Sequence, residues 1–178
     1  MMRLNKGVIL LLALCGFSGA AHATFKTSLS DAHVQSVLQR YFPQKEYAAI
    51  ARVILLEPKV RLEKNNKDIV LLIPVNANII GDAMHRGHIT VLVNLSYQPS
   101  SGGLYLNNPR MDQFEMPGVD KQMLGKLHEF IEAILNTSLP LVQIYKLKES
   151  DMNHSLAKTA LKNHDIEDHR LSLEFGFQ

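Results

Sequence analysis

The chain has 178 residues, 46% of them hydrophobic and 20% charged, with a formal net charge of +2 and one cysteine. That length and balance suit one globular domain with a sizeable core, and exclude a disordered or collagen-like chain. The low net charge excludes a polybasic nucleic-acid binder, and a lone cysteine cannot build a disulfide framework or a multi-cysteine zinc site.

Residues 1–23 read as a signal peptide. Arg3 and Lys6 form a positive start, Val8 to Leu14 an apolar run, and Ala21-His22-Ala23 a small-x-small cleavage site. The run is too short to span a bilayer as a stable helix. Cleavage after Ala23 removes Arg3, Lys6 and Cys15, so residues 24–178 keep no formal net charge and no thiol. This suits a periplasmic protein and excludes cysteine catalysis. A competing route runs through Leu12-Ala13-Leu14-Cys15-Gly16, which resembles a lipobox and would yield an outer-membrane lipoprotein. Membrane contact is expected only if Cys15 is lipidated. A lipobox wants a small residue where Leu14 stands, so cleavage after Ala23 is the reading adopted.

Residues 24–178 read as a single α+β domain. Ser30 is an N-cap, Leu29 and Val34 a hydrophobic staple, and Val34, Val37, Leu38 and Tyr41 keep helical spacing until Pro43. Ala49 to Glu63 is rich in β-branched residues and, with Pro58 inside it, predicts an edge strand or one broken by a bulge. Asp68–Ile80 alternates Ile69, Leu71, Ile73, Val75, Ala77 and Ile79 on one face. Gly81-Asp82 begins a turn, and His88–Tyr97 alternates again. Leu104–Met116 predicts a fourth strand, interrupted at Asn108-Pro109. Met123, Leu124, Leu127, Phe130, Ile131, Ile134 and Leu135 then mark an amphipathic helix from about Asp120 to Asn136. A short extended piece, Leu141–Leu147, a polar helix from about Ser150 to Asn163, and a strand carrying Leu171, Leu173, Phe175 and Phe177 complete the chain.

This order of elements, with the stretches LYLNNPRMDQFEMPGV, PLVQIYKL and RLSLEFGF, resembles the YceB-like family of bacterial envelope proteins, mostly lipoproteins. The resemblance implies a long, strongly curved antiparallel meander wrapped around one long amphipathic helix. That shape is similar to the tubular lipid-binding superfamily, which includes bactericidal/permeability-increasing protein. It implies no catalytic residues.

The second strand would be about 40 Å long at about 3.3 Å per residue, and the main helix about 25 Å at about 1.5 Å per residue. Apolar inner face is therefore left over, either sealed by other elements or open as a groove. The candidate lining is Ile73, Val75, Val91, Val93 and Leu95 on the sheet, facing Leu127, Ile131 and Ile134 on the helix. Met111, Phe114, Met116 and Met123 fall near the junction of meander and helix, as adaptable lining or as gap filler. His85 and His88, and His164 to His169, contain metal-ligand types but no closed-site spacing, and read as turn and loop residues. No nucleophile elbow, phosphate loop or dinucleotide fingerprint occurs. The expected function is therefore non-catalytic, without cofactor or nucleic-acid partner: binding of a lipid or other apolar small molecule in the envelope. The alternative is a fully packed scaffold that binds another envelope protein.

Overall fold

Alternation of buried and less buried residues along long strands builds the largest element. The computed structural model describes residues 24–64, 67–147 and 159–177. The signal segment with Cys15 therefore lies outside the described residues, as does the expected polar helix over 150–158. Three long strands form the centre: β5 (Ile69–Ile79), β6 (Met84–Gln98) and β7 (Gly103–Glu115). Before them come β1 (Thr24–Ser30), α1 (Asp31–Leu38), β2 (Gln44–Tyr47), β3 (Ala51–Leu55) and β4 (Lys59–Arg61). After them come α2 (Lys121–Ser138), a 3₁₀ turn (Leu139–Leu141), β8 (Gln143–Lys146), β9 (Thr159–Glu167) and β10 (Arg170–Phe177).

The strands make two antiparallel sheets. The larger has the order β2-β3-β5-β6-β7-β8, with β4 pairing β5, and it curls into a half-barrel. Ile69, Leu71, Ile73, Val75 and Ala77 of β5 lie in register with Val93, Val91, Ile89, Gly87 and His85 of β6. Apart from Gly87 and His85, all of these are fully buried. Period-two alternation puts them on one face, which is the concave one. Around Pro58 the run is not one edge or bulged strand but is split into two strands, β3 and β4, both paired with β5. At Asn108-Pro109 the strand is not interrupted but bulged: Leu92 pairs Arg110, Asn94 pairs Asn107, and Asn108 takes a φ of +47°. Asparagine tolerates that conformation, and the extra residue sharpens the coil of the sheet.

Helix α2 runs along the concave side. Asp120 caps it, its carboxylate accepting from the backbone N–H groups of Gln122 (2.9 Å) and Met123 (3.0 Å). Leu127, Ile131, Ile134 and Leu135 enter the same core as the inner face of the sheet. Met111, Phe114, Met116 and Met123 all lie in that core or against it, as packing. At the other end, α1 is capped by Ser30, whose hydroxyl accepts from His33 N–H at 3.2 Å, with Leu29 and Val34 both buried. It ends at Leu38, earlier than the spacing predicts, and leaves Tyr41 exposed.

The second sheet, β1-β10-β9, corrects the sequence reading. Residues 159–163 extend the expected polar helix in sequence but form a strand, as do 164–167, which read as loop. Its inner face is built in cross-strand rows: Leu29, Leu171 and Ile166 in one, Phe25, Phe175 and Leu161 in another. Such rows reward extended structure over helix when both neighbours supply apolar partners. Asp168 and His169 close the β9–β10 hairpin with φ of +47° and +57°. That is the signature of the primed two-residue turn, which favours glycine at its second position.

Replacing His169 with Gly should therefore stabilise the hairpin. The left-handed conformation costs a non-glycine residue about 1–2 kcal/mol, against about 0.5–1 kcal/mol of added glycine entropy. Chemical denaturation should show a gain of about 0.5–1 kcal/mol; a loss would show that the turn is held by contacts of the His169 ring.

Candidate functional site

The structure gathers all eight predicted lining residues into the packed core. Ile73, Val75, Val91, Val93, Leu127 and Ile131 have no solvent exposure, Ile134 is buried, and Leu95 is partly buried against them. Beyond the end of α2 the inner face is sealed by the small sheet. Phe175 meets Tyr97 of β6 edge-to-face at 5.1 Å between ring centroids, and Phe25 packs on Phe175 at 6.3 Å. Ile134 also borders an open groove, whose other walls are Gln44, Glu46, Ala133, Thr137 and Ser138.

The histidines are dispersed by strand geometry. His85 and His88 sit three apart in β6, and residues an odd number apart on a strand point to opposite faces. His85 donates from Nε2 to Asp82 Oδ2 at 2.9 Å, while His88 Nε2 stands 3.5 Å from Glu115. His164, in β9, has Nε2 3.2 Å from the Lys67 carbonyl, and His169 lies in the hairpin turn. The His85 hydrogen bond holds the Asp82 carboxyl below the usual carboxylate range, with help from the Ala83 N–H. The Asp82 carboxylate thus favours the fold above its ordinary pKa, and that support is lost as pH falls through the lowered one.

The solvent face at this end of the large sheet has a different character. The β2–β3 turn and the β5–β6 turn lie side by side, joined by Ile80 N–H donating to the Ile50 carbonyl. Register places Tyr47, Arg52, Asn78 and Met84 in one cross-strand row on the convex side. The next row on that side is Lys45, Ile54, Asn76 and Arg86. Tyr47 is 69% exposed, Ile80 73% and Met84 51%. Between the turns lies an open groove of about 260 Å³ whose walls include Tyr47, Arg52, Asn78, Ile80 and Asp82.

Arg52 occupies this groove. Its guanidinium carbon stands 5.4 Å from the centre of the Tyr47 ring, a cation–π arrangement. Its Nε is shielded from solvent and has no hydrogen-bond partner. Among the described residues no carboxylate is within ion-pair distance of Arg52, and Asp82 is engaged by His85. None of these residues stands out by composition. One signal was available: Ile79 faces inward in the alternation, so Ile80, just before the Gly81 turn, has to face water.

Residues 29–170 match the family described as "Protein of unknown function (DUF1439)", and the chain belongs to that family. No curated protein matches it. Among solved structures it is similar to one described as "Crystal structure of lipopolysaccharide binding protein", with 13% sequence identity and a TM-score of 0.27. That similarity covers 88% of this chain and 50% of the other, so the chain spans about half the length of that protein.

Two outcomes follow from this geometry. Val93→Trp should overpack a filled core and cost about 1–3 kcal/mol in urea denaturation; an unchanged midpoint would reveal space beside Val93. His85→Ala should raise the Asp82 pKa towards its ordinary value, read from the carboxyl carbon in an NMR pH titration. An unmoved titration would show that the Ala83 N–H alone sets it.

Proposed function

We propose that this DUF1439 protein is a non-catalytic, exported envelope protein that binds a lipid or other apolar molecule at the Gly81 end of its large sheet. The observation that carries the reading is the grouping of Tyr47, Ile80 and Met84, three large exposed side chains on adjoining strand ends and turns. Exposed apolar side chains scattered singly are ordinary; a group projecting from one edge marks a contact surface. The inner face, which is the other large apolar surface, is taken up by packing among its own residues. The non-catalytic part of the reading rests on the sequence, which carries no nucleophile elbow or phosphate loop. Export to the periplasm, with cleavage after Ala23, rests on the order of charges, apolar run and small residues in 1–23. The YceB-like resemblance, with the tubular lipid-binding shape it implies, is in keeping with this reading.

Burying one such side chain contributes about 1.5–3 kcal/mol. Three of them are of the same order as the cost of association, about 4 kcal/mol or more. Attachment through these residues alone is therefore weak and reversible, as for a single acyl chain.

The test is co-sedimentation of residues 24–178 with vesicles made from total bacterial envelope lipid. The wild type should sediment with them, and Ile80→Ser should weaken binding about tenfold, since one tenfold step is about 1.4 kcal/mol. Wild-type protein that stays in the supernatant would overturn the reading.

A further inference from the structure

The apolar group at the Gly81 end does not stand alone: it is backed by cations. Arg52 shares the convex row of Tyr47 and Met84, and the next row carries Lys45 and Arg86, each cation from a different strand. The carboxylate lining the groove is Asp82, which accepts a hydrogen bond from His85 at 2.9 Å and keeps its negative charge. Lys45, Arg52 and Arg86 outnumber Asp82 and the adjoining Glu46, so the local balance of formal charge is positive, although residues 24–178 are neutral overall.

Arg52 is the member placed for a specific contact. Its Nε is buried and unpartnered, no carboxylate among the described residues pairs with its guanidinium, and a guanidinium without a counter-charge matches an oxyanion such as a phosphate at whichever of its N–H groups reach solvent. Its face is steadied by the Tyr47 ring. Tyrosine is itself a residue of membrane interfaces, with an apolar body and a polar tip. Apolar side chains at the rim, with Arg52 among them and Lys45 and Arg86 one row behind, suit a membrane surface, where hydrocarbon lies behind charged phosphate.

We propose that the Gly81 end docks on an anionic membrane surface, with Tyr47, Ile80 and Met84 entering the interface and Arg52 binding a lipid phosphate. This deepens the proposed function and rests on it. Lys45 and Arg86 add attraction that is not directed at one atom, so docking should weaken as salt rises. A protein partner at the same surface would have no need of lipid phosphate, and free phosphate would not need the apolar rim.

The experiment compares two vesicle compositions, phosphatidylcholine alone and phosphatidylcholine mixed with phosphatidylglycerol, using residues 24–178. The wild type should bind the mixed vesicles more tightly, and more weakly at high salt. Arg52→Gln should lower affinity for the mixed vesicles about fivefold, the effect of one basic residue near such a surface. Its effect on binding to phosphatidylcholine, whose phosphate is already balanced by its own choline cation, should be smaller. Arg52→Lys, which keeps the charge, should retain most of the affinity, and circular dichroism of both variants separates lost binding from lost fold. Equal wild-type affinity for the two compositions, or no effect of Arg52→Gln on a folded protein, would overturn the anionic docking and leave the apolar reading standing. Release from mixed vesicles by millimolar inorganic phosphate at constant ionic strength would also overturn it, because the site would then be one for a free anion. Binding to neither composition would overturn the anionic docking, while sedimentation with the envelope-lipid vesicles decides the proposed function separately.

Discussion

The large sheet is longer than the helix that covers it, and the rest of the molecule answers to that mismatch. Strand β6 has 15 residues and extends about 50 Å at about 3.3 Å per residue. Helix α2 has 18 residues but reaches only about 27 Å at about 1.5 Å per residue. Nearly half of the concave face would be wet if the helix were its sole cover. The three-stranded sheet supplies the remainder, and the Phe25, Phe175 and Tyr97 rings close the seam. Helix α1 fills the corner between them, with the His33 ring bonded to the Ile144 carbonyl at 3.0 Å. A tube for an acyl chain would need part of this cover to be missing.

Much of this architecture was legible in residue order, and the gaps have physical causes. The alternation in 69–79 and 88–97 and the helical spacing of 123–135 each have one face buried and one wet, so periodicity reports them directly. Strand β6 begins four residues earlier than that reading, at Met84, because Met84, His85, Arg86 and Gly87 show no apolar alternation although they pair with β5. Residues 159–163 read as helix because polar residues with scattered Ala and Leu satisfy either period. Their strand state is decided by β10, a partner close in sequence whose Leu171, Leu173 and Phe175 demand company. The alternation of Phe25, Thr27 and Leu29 was present in the sequence, but it is short and abuts a helix cap.

The candidate surface was harder to read for a related reason. Its members come from β2, β3, the β5–β6 turn and the start of β6, and they become neighbours through sheet register alone. Tyr47 and Met84 are 37 positions apart, and two intervening strands bring them into one row. An expectation built on the inner face looked for binding where apolar residues are most numerous. In this fold numerous apolar residues face one another, and a few at the rim face outward. Gly87 illustrates how closely the two regions are fitted together: a Cβ there would run into the Glu115 carbonyl oxygen, so β6 and β7 meet without side-chain clearance just behind the rim.

The small sheet also imposes an order on events. Its central strand, β10, is the last element of the described chain, and its partner β1 is the first, with Thr24 opposite Gly176. The two neighbours in space are separated by nearly the whole polypeptide. Such pairings close late, because the ends must find each other against the entropy of the loop between them. Until β10 is delivered, Tyr97 and the uncovered stretch of the concave face have no lid. A chain made from its N-terminus onward therefore stays half-assembled, with β1 unpartnered, until its last residues are in place. The fold is in effect locked from its tail, and truncations there would reach a strand that begins 146 residues earlier.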